Sequence, residues 1–201
     1  FAQQAKDPNS KYHKWFHHNG VIKNWDDQWW VENGELAELP DLDQDSAEAN
    51  RYVIDSMKFW IKESGADGFR IDTVKHVPRS FWRQFNREIR SYAGDDFLLL
   101  GEIYTPSAEF QAPYLREGMH SAFDFPLYYT LKNVWGQGGS MRSLASHFAK
   151  DRLYPDASLL SPFIDNHDVP RFVHEANGRQ RDRLKAALGF LFAIRGMPML
   201  Y

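Results

Sequence analysis

Three acidic residues stand where short apolar runs end: Asp72 closes DGFRID, Glu102 closes FLLLGE and Asp168 closes SPFIDNHD. Pairs of carboxylates cleave glycosidic bonds, one as nucleophile or base and the other as proton donor. In an extended run side chains alternate between faces, so Arg70 and Asp72 are expected to project one way, and Phe69 and Ile71 the other. A guanidinium beside a carboxylate favours the ionised form, which suits Asp72 to attack. The apolar approach to Glu102 favours the protonated form by excluding water, which suits it to donate a proton. The two acids are separated by about the length of one βα repeat, which predicts neighbouring parallel strands. Such neighbours lie roughly 4.8 Å apart. Retaining glycosidases hold their carboxyl groups about 5 to 5.5 Å apart, whereas inverting ones need a wider gap, so retention is expected. Asp168 follows about two repeats later beside His167 and is expected to reach the same cavity. Any one of these acids alone reads as a helix cap or a salt-bridge partner; three spaced by whole repeats do not.

The elements that must position these acids alternate. Residues 1–43 carry Trp15, Trp25, Trp29 and Trp30 among polar residues without a sustained period, which predicts an ordered, loop-rich excursion. From Ser46, apolar residues at helical spacing run to Ser64–Gly65. A strand is expected over 67–72, a helix after Pro78 through Phe81, Trp82, Phe85 and Ile89, and a buried strand over 97–102. Then come a helix over 108–116, a strand over 121–125, and a helical stretch over 128–150 broken near Gly136–Gly139. A strand over 159–165, a helix over 181–194 and a strand over 197–201 finish the chain. Five strands alternating with helices imply an α/β fold with a parallel sheet and right-handed crossovers. No glycine-rich phosphate turn follows any strand, which disfavours a doubly wound nucleotide-binding sheet and favours part of a barrel.

Composition narrows the partner. With 201 residues, 43% of them hydrophobic, and a net charge of −3, the chain is long enough for a sizeable core but has no broad basic surface for nucleic acid. No window approaches the roughly 20 apolar residues of a membrane span, so membrane insertion is not expected. The absence of cysteine rules out disulfides and thiolate chemistry in these residues. A start at Phe1 and an end directly after an apolar run suggest that both termini are cut from a longer protein. The oligomeric state is not legible.

The segments LPDLD (39–43), GFRIDTVKH (68–76), GEIY (101–104) and FIDNHD (163–168), in that order and spacing, resemble the motifs of α-amylase family glycoside hydrolases. GMPMLY at the end resembles the start of that family's eighth barrel strand, and FHHNG (16–20) resembles a segment of cyclodextrin glucanotransferases and related amylases. The resemblance covers essentially the whole chain. It implies a partial (β/α)8 TIM barrel, about strands 4 to 8, over residues 44–201, preceded over 1–43 by the end of a loop-rich inserted subdomain. It implies Asp72 as nucleophile, Glu102 as acid/base and Asp168 as the acid that stabilises the transition state, with Arg70 and His167 as close support. Lys75 and His76 look like the pair that contacts sugar on the leaving-group side. Asp41 and the backbone carbonyl of His76 match ligands of a structural calcium ion, and oxygen ligands suit that cation. No organic cofactor is implied.

The implied substrate is an α-1,4-linked glucan or maltooligosaccharide, cleaved with retention, in a secreted or periplasmic setting. Glucan transfer, including cyclisation, is a sibling activity. A non-catalytic glucan-binding relative is a rival, but such relatives lose members of the carboxylate set and this chain keeps all three. Trp25, Trp29, Trp30 and Tyr104 could stack on glucose rings, with core packing the plainer expectation for each. His17 and His18 read as loop packing, since no partners stand at ligand spacing.

Overall fold

The computed structural model describes residues 2–176 and 178–201. The chain forms two compact units, Phe1–Leu98 and Leu99–Tyr201.

The first unit opens with helix α1 (Ala2–Lys6), a 3₁₀ turn (His13–Trp15) and helix α2 (Gln28–Asn33), whose first turn is capped by Asp27 accepting from Trp29 N at 3.0 Å. Between these short helices the region is irregular. Phe16 bridges to Leu42, Asp43 N donates to the Trp15 carbonyl at 2.8 Å, and Ala5, Trp15, Phe16 and Ala49 form a small core. Helix α3 (Ala47–Ser64) starts at the Ser46 cap and ends at Gly65 in the left-handed region, where the sequence signals place it. Of its apolar residues, Ala49 and Ile54 are buried, while Tyr52, Phe59 and Trp60 are exposed. Strand β1 (Gly68–Ile71) leads through a 3₁₀ turn (Val74–His76) to helix α4 (Arg79–Ala93). The expected stripe of Phe81, Trp82, Phe85 and Ile89 is buried there. Gly68 has no room for a side chain, because a Cβ would stand 2.6 Å from both Cβ and the carbonyl oxygen of Leu98, whose amide donates to Asp67 O at 2.9 Å.

Strand β2 (Leu98–Gly101) passes from the first unit into the second, where it pairs in parallel with β3 (Ser121–Ala122), Leu100 opposite Ser121 and Gly101 opposite Ala122. Helix α5 (Ala108–Arg116) lies between them in sequence. Helix α6 (Phe125–Leu131), capped by Asp124, runs into a π turn (Lys132–Gly136) at the expected glycine-rich break, and α7 (Arg142–Phe148) follows. Helices α8 (Phe172–Glu175) and α9 (Gln180–Ala193) complete the unit. Its cores gather Leu127, Leu131, Phe172 and Leu191 in one cluster, and Phe123, Phe125, Tyr128 and Phe163 in another.

Two of the five expected strands are not regular strands. The 159–165 run begins with a 3₁₀ turn (Ala157–Leu159) and then makes a single parallel bridge, Phe123 to Ser161. The 197–201 run is extended, tied by Met197 N to Leu160 O at 2.8 Å and Met199 N to Pro162 O at 2.9 Å. Pro162 explains part of this: it lacks the N–H that would continue the ladder to the 197–201 run, and the Met197 carbonyl accepts from Ser161 Oγ at 2.9 Å instead.

Candidate active site

Asp72 is the residue directly after β1, at the carboxyl end of a strand, where parallel α/β folds place functional side chains. Its Oδ1 accepts from Arg70 Nη1 at 2.6 Å, so residues two apart on the strand do share a face. Thr73, the next residue, sits at φ 49°, ψ 34°, in the left-handed region that a β-branched side chain rarely enters. This turn reverses the chain sharply after Asp72 and starts the 3₁₀ turn that carries Lys75 and His76. No feature of the sequence pattern announced it.

The tryptophan-rich segment packs on that same turn. Gln28 Nε2 donates to the Lys75 carbonyl at 2.9 Å, His76 Nδ1 donates to the Val31 carbonyl at 3.1 Å, and the Trp25 ring meets the His76 ring edge-on at 5.9 Å. Burial, reinforced by the charge of Lys75, lowers the His76 pKa, so the ring is neutral near pH 7 with its proton on Nδ1. Trp25 and Trp29 are exposed, against the expectation of core packing. Trp30 is half-buried under Lys23, and Tyr104 packs on Phe125 at 4.4 Å in the second unit's core.

In the second unit, Glu102 directly follows β2 and is 6% exposed, in keeping with the apolar run that precedes it. Asp168 and His167 are exposed neighbours, Nε2 to Oδ2 at 3.1 Å. The turn presenting them is built from two buried residues that the sequence reading passed over. Asn166 Oδ1 accepts from the amides of Asp168 (2.8 Å) and Val169 (3.1 Å), and Asp165 Oδ2 accepts from Phe172 N at 2.8 Å at the start of α8. An Asx residue two before the residue it serves is the signal that could have found them. Asp72 thus belongs to the first unit, and Glu102 and Asp168 to the second. A 720 Å³ cleft in the first unit, walled by Tyr12, His13, Trp15 and Tyr52, is lined by none of them.

The candidate calcium ligand has a different neighbour. Asp41 Oδ2 accepts from His17 Nδ1 at 2.7 Å, and His17 Nε2 faces Asp43 Oδ1 at 3.3 Å. The hydrogen bond that His17 donates to Asp41 raises the His17 pKa above its usual value, while burial raises that of Asp41. His17 thus sits between two acids, and its hydrogen bond to Asp41 favours the protonated ring. His18 stacks on His13 at 4.1 Å. Among the described residues no group of three or more His, Asp or Glu side chains could hold a metal ion, so Asp41 and a carbonyl do not make a calcium shell by themselves.

The family model for the alpha amylase catalytic domain matches residues 1–201. The chain belongs to that family. The beta/alpha-amylase of Paenibacillus polymyxa is 39% identical to this alpha-amylase catalytic-domain chain over 98% of its residues, and the cyclomaltodextrin glucanotransferase of Klebsiella oxytoca is 29% identical over 93%. The crystal structure of the Geobacillus thermoleovorans alpha-amylase complexed with acarbose superposes with a TM-score of 0.90 at 38% identity, covering 98% of this chain. The chain therefore shares the fold of part of the alpha-amylase catalytic domain, and its described residues form a three-stranded sheet in the order β1-β2-β3. It spans only 17% and 33% of the lengths of the two curated relatives and 45% of the solved one. Among the described residues no helix is long and apolar enough to cross a membrane.

Proposed function

We propose that the protein carrying this chain is a retaining glycoside hydrolase that cleaves α-1,4-glucosidic bonds in starch-like glucans or maltooligosaccharides. The observation that carries this reading is the pair of contrasting acids at successive strand ends within a chain of this family. Asp72 is solvent-exposed and held by a guanidinium, while Glu102 is withdrawn from water. The two acids thus stand in contrasting environments, one open to water beside a guanidinium and one buried, which suits a nucleophile and a proton donor in double displacement.

In the first step an Asp72 oxygen attacks the anomeric carbon, the glycosidic C–O bond breaks, and the leaving oxygen takes the proton of Glu102. In the second step the Glu102 carboxylate takes a proton from water, the water oxygen bonds the anomeric carbon, and Asp72 is released. Asp168, with His167, would stabilise the oxocarbenium-like transition state. Neutral His76, with Lys75, would bind sugar hydroxyls on the leaving-group side. Residues 44–201 would supply about strands 4 to 8 of the barrel and residues 1–43 the end of an inserted subdomain. The likeness to the Klebsiella oxytoca glucanotransferase supports a second reading, transfer of the glycosyl group to a sugar hydroxyl instead of water. Calcium at Asp41 rests on resemblance alone; the site would need further oxygen ligands, and no step depends on it.

The test is to incubate the full protein with soluble starch and maltoheptaose and follow product anomers by NMR, for wild type and Asp72→Asn. The α-anomer is expected to form first, and the variant is expected to lose several orders of magnitude in turnover. A β-anomer first product, or unchanged turnover in Asp72→Asn, refutes the reading.

A further inference from the structure

The two residues after β3 are held on every side by groups of the second unit. Phe123 N donates to the Gly101 carbonyl at 3.1 Å, and the Phe123 carbonyl accepts from Gln111 Nε2 at 2.9 Å. Asp124 N donates to the Ser161 carbonyl at 2.9 Å. Fully buried, the Asp124 carboxylate accepts from Leu127 N at 3.0 Å through Oδ1 and from Arg195 Nη1 at 2.7 Å through Oδ2. Gln111, also fully buried, is fixed in turn by Tyr154, whose hydroxyl donates to Gln111 Oε1 at 2.9 Å. This junction touches both candidate acids through the backbone: Gly101 immediately precedes Glu102, and Ser161 opens the run that ends at Asp168.

Arg195 is the only cation that the described hydrogen bonds bring to the Asp124 carboxylate, and it reaches further. Its Nε and Nη2 grip both oxygens of Asp151, at 2.8 and 2.5 Å, and Nη2 lies 3.5 Å from His147 Nε2. Its backbone leads into Gly196, whose missing Cβ lets the chain press against Leu160 O, and into Met197, which donates to that same carbonyl. Ser161 Oγ donates to the Met197 carbonyl at 2.9 Å. One planar fork thus joins the start of α6, the turn after α7 and the extended run after α9. A lysine, with one point charge, cannot span these partners. Burial works against the guanidinium's charge, but the Asp151 and Asp124 contacts hold its pKa above the usual arginine value, so it stays a cation.

We infer that Arg195 is a positioning residue for the glycosidase chemistry: by pinning Asp124 it sets the backbone register that presents Glu102 and the Asp168 turn. The inference rests on the proposed function. It also makes a claim about the fold that can be read without catalysis, namely that the Phe123 and Asp124 amides owe their protection to Arg195.

The experiment uses Arg195→Lys and Asp151→Asn in the full protein, the second variant keeping Arg195 but freeing half of its fork. Kinetics on maltoheptaose across pH and amide hydrogen exchange at Phe123 and Asp124 are measured on the folded variants. In Arg195→Lys, kcat is expected to fall at least tenfold with KM within threefold of wild type. The alkaline limb of the pH profile should move to lower pH as water gains access to Glu102. Exchange at Phe123 and Asp124 should accelerate at least tenfold while helix α3, in the other unit, is unchanged; Asp151→Asn should move each readout in the same direction by less. A wild-type pH profile and kcat in folded Arg195→Lys, or activity lost only in proportion to unfolded protein, overturns the inference. If wild type cleaves no glucan, the functional reading fails. The exchange data then decide separately, and unchanged protection at Phe123 and Asp124 overturns the role of Arg195.

Discussion

The Arg70 guanidinium lies 2.6 Å from the Asp72 carboxylate, yet the Asp72 side chain is 64% exposed. Exposure decides what this pair is for. Solvent screening makes it a weak contributor to stability, so Arg70→Gln should leave the unfolding free energy within about 0.5 kcal/mol of wild type. Turnover should fall on the order of a hundredfold, because the guanidinium that holds the Asp72 carboxylate in its aim is gone. Denaturant melts and kcat measured on one preparation separate the effects; equal losses in both would contradict a functional role for the pair.

Among the described glycines of the first unit, Gly68 has the least room for a side chain. Gly68→Ala places a methyl against Leu98 backbone and side chain, where only a shift of β1 relieves the clash. The expected cost is about 1 to 3 kcal/mol, with the largest losses of amide protection at Asp67 and Leu98. A variant as stable as wild type would show that the strands separate freely.

Asn166→Ala removes the acceptor of the Asp168 and Val169 amides. Loss of these bonds should cost about 1 to 2 kcal/mol and release the turn that presents Asp168. Activity should drop further than stability predicts, and Asn166→Asp, which keeps an acceptor oxygen at the same position, should recover most of it.

Burial lowers the pKa of His147 below its ordinary 6.5, with Arg195 and Lys150 acting in the same sense and Asp124 and Asp151 against it. The folded state therefore binds this proton less readily than the unfolded chain. Stability should fall as pH drops below 6.5, where the unfolded chain takes up a proton that the folded one refuses, and the loss should level off below the folded-state value. His147→Gln should flatten that segment of the stability profile. A profile that keeps its slope in the variant would assign the proton to another group.

Local chemistry was the legible part of this molecule. Ser46 and Gly65 bound α3 as caps should, Pro78 opens α4, and the glycine-rich break after α6 falls where helical geometry changes. The motif acids stand at strand ends because β1 and β2 are short apolar runs stopped by a polar residue. What escaped the sequence reading depends on contacts across the chain. Tyr52, Phe59 and Trp60 share helical spacing with buried residues, yet periodicity cannot say which apolar positions find a partner. Pro162 has no N–H to donate to the neighbouring run, so two expected strands appear as tethered runs held by a few bonds. Thr73 adopts a conformation that its side chain disfavours, and the Arg195 fork joins residues far apart in sequence; neither leaves a periodic trace.

The hydrogen bonds from Gln28 to the Lys75 carbonyl and from His76 to the Val31 carbonyl make two stretches of sequence one mechanical part. Recombination among relatives should respect that seam. A chimera that brings in a 25–31 segment without Gln28 strands the Lys75 carbonyl, whereas exchanging 25–31 and 73–77 together carries the complete joint across and lets the tryptophan segment be retuned without loosening its anchor.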